Sequence, residues 1–202
     1  MAKIKICGLS RLCDIEAVNE GKPEYIGFVF AESRRQVSPA QAEQLRAKLS
    51  ADIIPVGVFV NETPTNIISL VRSGVISAVQ LHGDENEAYI ENIKRLAGKP
   101  IIKAVPILKP GDAQAWADTN ADYLLLDNKH GGTGQAFDWD LIGELNKPFF
   151  LAGGLNMQNI EAAVQQVSPY AVDVSSGVEI GGLKDREKII SIIRSIRRIR
   201  NG

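Results

Sequence analysis

Short apolar runs recur along the chain and predict eight β-strands. The runs are rich in Ile, Val, Leu and Phe and cover residues 3–7, 25–30, 53–60, 78–81, 101–105, 123–127, 149–152 and 171–175. Runs of this length are typical of parallel strands whose two faces are both buried. A new run begins about every 25 residues, which leaves room for one crossover helix between consecutive strands.

The segments between the strands have the apolar spacing of amphipathic helices. They include residues 39–49, 64–71, 85–96, 157–167 and 186–199. The last segment is expected to turn an isoleucine stripe toward the core, formed by Ile189, Ile190, Ile193 and Ile196. Its arginines come late in the segment, where a helix C-terminus favours cations, so we interpret them as a solvated face and not as a nucleic-acid site.

The alternation of strand and helix predicts an α/β fold, and eight βα units predict a compact (βα)8 TIM barrel. No linker interrupts the series, so residues 1–202 are expected to form a single domain. A doubly wound open sheet is the alternative fold. Its glycine fingerprint is absent after the first strand, at residues 7–11, and the cluster at 132–134 has Phe137 where a third glycine is needed.

Composition limits the function. Of the 202 residues, 45% are hydrophobic and 23% are charged, as in folded globular proteins. The net charge of -1 gives no overall positive field for nucleic acid or an anionic membrane surface. The apolar run at 53–60 contains Pro55 and Gly57 and is too short to span a membrane. The first residues lack the pattern of a secretory signal, so a cytoplasmic location is expected.

Two candidate catalytic groups stand at strand ends, where the loops of a TIM barrel build the active site. Alternation along the first strand turns Lys3, Lys5 and Cys7 into the barrel. The same alternation puts Asp127 at the rim of the sixth strand, so that a thiol and a carboxyl group face each other. Lys5 is the candidate neighbour for favouring the thiolate. The alternatives are a small buried hydrophobe for Cys7 and a loop or helix cap for Asp127.

Two glycine-containing turns, at residues 152–156 and 175–179, follow the seventh and eighth strands and predict a phosphate site. Backbone N–H groups in these loops of a barrel bind anions without a cation. The alternative is that the glycines only form tight turns.

Arg35 is the candidate for holding a second anion, a carboxylate, through two parallel hydrogen bonds, and Arg34 is the alternative. Both could equally be solvated loop residues. His82 and His130 are the only histidines, and neither has a partner at metal-ligand spacing, so no metal site is expected. His82 either lines the mouth or is a hydrogen-bonded structural residue.

Ordered blocks along nearly the whole chain resemble the phosphoribosylanthranilate isomerase family. The blocks are K-I-C-G-L-S-R at 5–11, S-R-R-Q-V-S-P at 33–39, V-F-V-N at 58–61, V-Q-L-H-G at 79–83, L-L-D at 125–127, G-G-T-G at 131–134, F-D-W at 137–139, L-A-G-G-L at 151–155 and D-V-S-S-G-V-E at 173–179. The resemblance implies a TIM barrel that performs the Amadori rearrangement of N-(5'-phosphoribosyl)anthranilate to 1-(2-carboxyphenylamino)-1-deoxyribulose 5-phosphate in tryptophan biosynthesis. It implies a phosphosugar substrate, no cofactor, no nucleic-acid or membrane partner, and a monomer or homodimer.

The resemblance also implies a role for individual residues. Cys7 matches the general base, Asp127 the general acid and Arg35 the arginine that holds the anthranilate carboxylate. The remaining matches are Gly154, Ser176 and Gly177 in the phosphate loops, and His82 and Asp173 in the lining of the site. The sequence departs from the family pattern at Arg34, where Pro is usual, and at Gly181-Gly182, where Pro-Gly is common.

Two other functions stay open at this point. An isomerase of histidine biosynthesis would perform the same chemistry but is expected to carry a carboxylate at position 7, where this chain has Cys7. A non-catalytic phosphate-binding module would be indicated by loss of the acid or the base, and both are present.

Overall fold

Eight parallel strands close into a barrel in the computed structural model, which describes residues 2–128 and 137–199. They are β1 Lys3–Cys7, β2 Tyr25–Val29, β3 Ile54–Phe59, β4 Ala78–Leu81, β5 Ile101–Pro106, β6 Tyr123–Asp127, β7 Phe149–Leu151 and β8 Ala171–Val174. Each strand pairs with the next in the sequence, and β8 pairs with β1. The predicted TIM barrel is confirmed, and the open doubly wound sheet is wrong. The glycines at 131–134 and His130 lie outside the described residues.

Six α-helices surround the barrel within the described residues. They are α1 Leu12–Gly21, α2 Pro39–Arg46, α3 Pro64–Arg72, α4 Glu87–Ala97, α5 Ile160–Val167 and α6 Arg186–Ile199. Short 3-10 helices follow β5, β6 and β8, at Gln114–Trp116, Trp139–Ile142 and Ser176–Val178. The small hairpin of β9 Glu179–Ile180 and β10 Leu183–Lys184 precedes α6. None of the helices in the described ranges is long and apolar enough to cross a membrane.

The start of α4 differs from the sequence prediction for a clear local reason. The predicted helix begins at residue 85, but Asn86 is the N-cap, and its side-chain oxygen accepts a hydrogen bond from the Tyr89 N–H at 3.0 Å. An N-cap residue has extended backbone, so the helix begins at Glu87. Glu85 therefore lies in the loop before α4, where its carboxylate forms an ion pair with Lys103.

The helices pack their apolar stripes on the outer face of the sheet. The isoleucine stripe of α6 is buried as predicted, with Ile189, Ile190, Ile193 and Ile196 at most 4% exposed. Gly21 at the end of α1 allows α6 to come close, because a Cβ there would lie 2.6 Å from Cδ1 of Ile193. The two helices therefore pack directly against each other.

An aromatic layer fills the lower end of the barrel interior. The Phe150 ring packs edge-on against Tyr25 and Tyr123, with centroid distances of 5.4 and 5.6 Å. The hydroxyl of Tyr170 accepts a hydrogen bond from Lys3 Nζ at 2.7 Å. This layer lies at the end of the barrel opposite the carboxyl ends of the strands, so polar side chains can occupy those ends above a closed floor.

A buried ion pair fixes the loops that follow β3 and β4. Ile102 and Ala104 pack inside the barrel, so Lys103 between them points to the outer side of β5. Its Nζ lies 2.8 Å from Glu85, whose carboxylate also accepts hydrogen bonds from the backbone N–H groups of Asn61 and Gly83. The hydrogen bond from the Gly83 N–H fixes the backbone next to His82.

We expect Lys103→Met to lower the free energy of unfolding by about 3 to 5 kcal/mol, because the buried Glu85 carboxylate would lose its cation. Urea unfolding measures the change. The matched control is Arg186→Gln, which breaks an exposed pair with Glu20 and should cost less than about 1 kcal/mol. Equal changes in the two variants would contradict the structural role of the Lys103 pair.

Candidate active site

Cys7 ends β1 at the mouth of the barrel, on the same strand face as Lys5, as alternation predicts. The thiol is free and 8% exposed. Gly27 on β2 makes room for it, since a Cβ there would lie 2.6 Å from the sulfur. Position 27 therefore cannot carry a side chain unless the thiol moves.

Lys5 and Asp173 form an ion pair inside the barrel below the thiol. Their side chains meet at 2.7 Å, and Lys5 is fully buried. Burial by itself lowers the pKa of Lys5, but attraction by Asp173 and Cys7 outweighs it, so the pKa is raised and Lys5 stays charged. The second oxygen of Asp173, Oδ1, has no hydrogen-bond partner within the described ranges. A buried acceptor of this kind is available to a ligand.

The charge of Lys5 does not by itself make Cys7 a thiolate. Burial is the largest influence on the thiol and raises its pKa, and the Asp173 carboxylate acts in the same direction. Lys5 and Lys184 lower the pKa of Cys7, yet the net direction is upward. The expected effect of Lys5 is present, but it is outweighed, so the resting group is a thiol at neutral pH.

Asp127 stands at the end of β6, with its side chain 13% exposed. The pKa of this carboxyl is raised to about 6: burial is the main cause and nearby Asp173 adds to it, whereas a hydrogen bond from the Asn128 N–H and the charge of Lys5 act against the shift. The Asn128 bond is 2.8 Å long. The carboxyl group thus exchanges its proton near neutral pH, as a general acid requires.

His82 connects Asp127 with the interior of β4. Its Nε2 lies 3.8 Å from Oδ2 of Asp127, and its Nδ1 lies 2.8 Å from the side-chain nitrogen of Gln80. Partial burial and the charges of Lys5 and Lys103 lower the pKa of His82, so the ring is neutral at pH 7. Nothing in the sequence distinguishes Gln80 from an ordinary strand residue, because its importance depends on the ring beside it.

The two glycine loops are in direct contact at the mouth. Gly153 and Gly154 have φ values of +82 and +66, which favour glycine. At Gly177 the constraint is close approach, because a Cβ there would lie 1.9 Å from the Leu155 carbonyl oxygen. Ser176 and Gly177 begin a 3-10 helix, whose first N–H groups have no partners inside the helix. The structure therefore brings Gly154, Ser176 and Gly177 to one side of the mouth.

Arg35 crosses the mouth to meet a residue that sequence reasoning missed. Its Nε and Nη2 donate to the two carboxylate oxygens of Glu179 at 2.6 and 3.1 Å. Lys184 and Arg34 also donate to Glu179, at 2.8 and 2.7 Å. Glu179 ends the block at 173–179 that resembles the family, but an acidic residue in a glycine-rich loop gives no signal of three cationic partners.

Burial separates the two arginines. The side chain of Arg35 is 16% exposed, whereas that of Arg34 is 56% exposed. Arg35 also passes over Gly8, where a Cβ would lie 2.4 Å from its Cδ, so the guanidinium chain runs beside the residue that follows Cys7. This geometry favours Arg35 as the site residue.

The described residues contain no group of three or more His, Cys, Asp or Glu side chains placed to hold a metal ion. Asp173 and Glu179 are instead engaged in ion pairs with lysines and an arginine.

Known proteins are similar to this chain in both sequence and fold. The model of the N-(5'-phosphoribosyl)anthranilate isomerase family matches residues 4–195. N-(5'-phosphoribosyl)anthranilate isomerase of Endomicrobium trichonymphae is 47% identical over 201 residues, which cover 98% of this chain and 99% of that protein. This chain belongs to the N-(5'-phosphoribosyl)anthranilate isomerase family.

Solved structures agree with this assignment. The phosphoribosylanthranilate isomerase of Thermotoga maritima has a TM-score of 0.89 at 35% identity, over 98% of this chain and 100% of that one. A phosphoribosylanthranilate isomerase in complex with reduced 1-(o-carboxyphenylamino)-1-deoxyribulose 5-phosphate has a TM-score of 0.86, also at 35% identity, over 98% and 100% of the two chains.

The two departures from the isomerase family pattern lie side by side. Gly182 has a φ of +82, and a Cβ there would lie 3.2 Å from Nη1 of Arg34. Arg34 therefore rests against the glycine turn between β9 and β10 while it donates to Glu179. The departures modify one peripheral contact of the loop after β8 and leave Cys7 and Asp127 unchanged.

Asp127→Asn is expected to stabilise the protein at pH 7. The folded carboxyl has a pKa of about 6, above the ordinary value of about 3.9, so the folded state binds its proton more tightly than the unfolded state does. Stability is therefore lost as the pH rises from about 4 through about 6. The free energy of unfolding of the variant should exceed that of the parent by about 2 kcal/mol at pH 7, and the two values should be equal below about pH 4. Guanidinium unfolding at each pH measures the difference.

The matched control for this measurement is Asp112→Asn. Backbone N–H groups of Leu108 and Lys109 lower the pKa of the Asp112 carboxyl, so its replacement should destabilise at neutral pH, in the opposite direction. A loss of stability in Asp127→Asn at pH 7 would contradict the raised pKa of Asp127.

Proposed function

We propose that this chain isomerises N-(5'-phosphoribosyl)anthranilate to 1-(2-carboxyphenylamino)-1-deoxyribulose 5-phosphate, with Asp127 as general acid and Cys7 as general base. The observation that carries the proposal is the carboxyl group of Asp127, whose pKa of about 6 lets it hold and release a proton at the barrel mouth. Its family membership and the likeness to an isomerase bound to a reduced form of that product support the assignment.

Asp127 begins the reaction in its protonated form. It donates its proton to the furanose ring oxygen, the bond between that oxygen and C1' breaks, and the nitrogen lone pair forms a C=N bond to C1'. The product of this step is a protonated Schiff base with an open sugar chain, and Asp127 becomes a carboxylate. Burial makes that carboxylate costly, while Lys5 and the Asn128 N–H reduce the cost.

Cys7 acts in the second step. Its thiolate removes the proton from C2', and the electron pair of that C–H bond neutralises the Schiff base, which gives an enolamine. The enolamine gains a proton at C1' and loses the proton of its C2' hydroxyl, which gives the ketose. Substrate and product are isomers, so the reaction has no net gain or loss of protons or electrons and needs no redox partner.

The acid and the base share one proton in the active enzyme. Burial raises the pKa of both groups, but Cys7 begins from the higher ordinary value and holds its proton more tightly. The productive arrangement, with the proton on Asp127 and a thiolate at Cys7, is therefore a minority of the one-proton population. Lys5 favours this arrangement, because it attracts the thiolate.

The two anionic ends of the substrate would hold the sugar between these groups. The phosphate is proposed to bind the N–H groups of Gly154, Ser176 and Gly177. The anthranilate carboxylate is proposed to bind Arg35, whose Nη1 makes no hydrogen bond within the described residues, since Glu179 occupies the Nε and Nη2 edge. The free Oδ1 of Asp173 is proposed to accept a hydrogen bond from a sugar hydroxyl.

The wider setting follows from the same assignment. Residues 1–202 are proposed to form one catalytic domain that acts in the cytoplasm without a cofactor, as a monomer or a homodimer. The relative from Thermotoga maritima is described as dimeric, which supports testing the homodimer first.

Cys7→Ser and Asp127→Asn should each lower kcat by about 10²- to 10⁴-fold, because each removes one partner of the acid–base pair. The loss of substrate fluorescence on turnover measures kcat. Binding of the reduced product analogue should change only a few-fold, since the anion-binding residues remain. Cys13→Ser is the matched control, because Cys13 is an exposed thiol and its loss should leave turnover unchanged. Full turnover by Cys7→Ser would refute the base assignment.

The pH dependence of kcat/KM should be bell-shaped. Below about pH 6 both groups are protonated and the base is missing, so activity should rise as Asp127 titrates. Above the pKa of Cys7, which is higher than the ordinary value of about 8.5, neither group is protonated and the acid is missing. A flat profile between pH 5 and 7 would exclude Asp127 as a titrating partner.

A further inference from the structure

Gln80 is a buried polar residue that the proposed mechanism does not use. It lies on β4, is 1% exposed, and shares the inward strand face with Ala78 and His82. Burying an amide side chain that has no hydrogen-bond partner elsewhere in the sheet is unfavourable for folding, so a Gln at this position calls for an explanation. Its one side-chain hydrogen bond within the described residues is to the ring of His82, at 2.8 Å.

The direction of that hydrogen bond determines where His82 carries its proton. The amide nitrogen of Gln80 can only donate, so Nδ1 of His82 must accept. A neutral ring then has its proton on Nε2, the atom that faces Oδ2 of Asp127 at 3.8 Å.

The charged groups around the ring keep it neutral. Burial, Lys5 of β1 and Lys103 of β5 lower the pKa of His82, whereas Asp173 of β8 and Glu85 in the loop after β4 raise it, and the net direction is downward. Asp127 of β6 faces Nε2 directly.

The reversed amide is less favourable. In the orientation found, the buried Oε1 of Gln80 has no partner within the described part of the chain. Reversal would put an NH2 group with two donors in that unpartnered place and would turn the Nε2 lone pair of His82 toward the Asp127 carboxyl group. Reversal leaves both amide N–H groups unmet and a lone pair facing a carboxylate, whereas the orientation found uses one of the two N–H groups and leaves the carbonyl oxygen unmet.

We propose that Gln80 is a positioning residue that holds His82 in its Nε2–H form, so that the ring closes the 3.8 Å gap to Oδ2 and donates a hydrogen bond to the Asp127 carboxylate formed during turnover. The inference rests on the proposed role of Asp127 as the acid. When Asp127 has given its proton to the ring oxygen of the sugar, the Nε2–H group of His82 stabilises the carboxylate left behind. The imidazole neither gains nor loses a proton, and it cannot take the proton of Asp127 because Nε2 is already protonated.

The tautomer can be observed directly by nitrogen NMR. The chain has two histidines, so His130→Asn leaves His82 as the single ring in ¹⁵N-labelled protein. At pH 7 we expect an unprotonated signal for Nδ1 and a protonated signal for Nε2. A protonated Nδ1, or a doubly protonated ring, would overturn the inference.

Gln80→Met tests the consequence for turnover, because Met fills a similar volume and has no donor. We expect kcat to fall roughly 10- to 100-fold, the effect of losing a hydrogen bond to a charged group, with little change in KM. The acidic limb of the pH profile should move to higher pH, because the Asp127 carboxylate loses its donor. An unmoved limb with unchanged kcat would overturn the inference.

The matched control is Gln114→Met. Gln114 is exposed and also donates from its side chain, to the carbonyl groups of Ile142 and Glu144 in the segment that precedes β7. The Gln114→Met variant should be less stable than the parent, but the pH profile of its activity should not shift. Gln80→Glu supplies a second variant of nearly unchanged shape, in which a carboxylate accepts from Nδ1–H. Its ¹⁵N spectrum should show the reversed tautomer or a charged ring.

A double-mutant cycle separates action through His82 from a direct effect. If Gln80 acts through the ring, His82→Asn and the pair His82→Asn with Gln80→Met should have the same kcat. A further loss in the double variant would overturn the inference. Full activity in Asp127→Asn would instead refute the proposed function, whatever tautomer the spectrum shows.

Discussion

The buried ion pair of Lys5 and Asp173 is the interaction on which the site depends. It joins β1 to β8, the two strands that close the barrel, at a distance of 2.7 Å. A lone charge at this depth would be very unfavourable, so each residue requires the other. The pair fixes one positive and one negative charge near both Cys7 and Asp127: Lys5 lowers the pKa of each group, and Asp173 raises the pKa of each.

The rest of the mouth follows the same principle of buried charges held by opposite charges. Glu179 is shared by Arg35, Arg34 and Lys184, and Lys184 also donates to the carbonyl of Ser175. The Lys103 and Glu85 pair plays the corresponding role for the loops after β3 and β4. Groups engaged in this way lose little entropy when a substrate arrives, so the site is organised before binding. Asp127 differs from these groups: burial raises its pKa to about 6, and no lysine or arginine of the described residues forms an ion pair with it.

Local sequence patterns predicted the fold and most residues of the candidate site. Strand positions followed from apolar runs, and the inward face of β1 followed from simple alternation through Lys5 to Cys7. Helix starts did not follow from the apolar spacing alone, because a cap such as Asn86 acts through one side-chain hydrogen bond that competes with helical continuation at Glu85. The roles of Cys7, Asp127 and the phosphate loops stay predictions that the resemblance and the geometry support.

The sequence by itself determined the strand count, the parallel α/β alternation, the family and the positions of the thiol and carboxyl groups at strand ends, because each of these is written in local periodicity or in ordered motifs. Only the tertiary structure decided the partners of Glu179, the difference in burial between Arg35 and Arg34, the contact of Gln80 with His82 and the direction of each pKa shift. The physical reason is that desolvation and charge pairing depend on distances between residues far apart in the chain, and those distances exist only after the barrel closes.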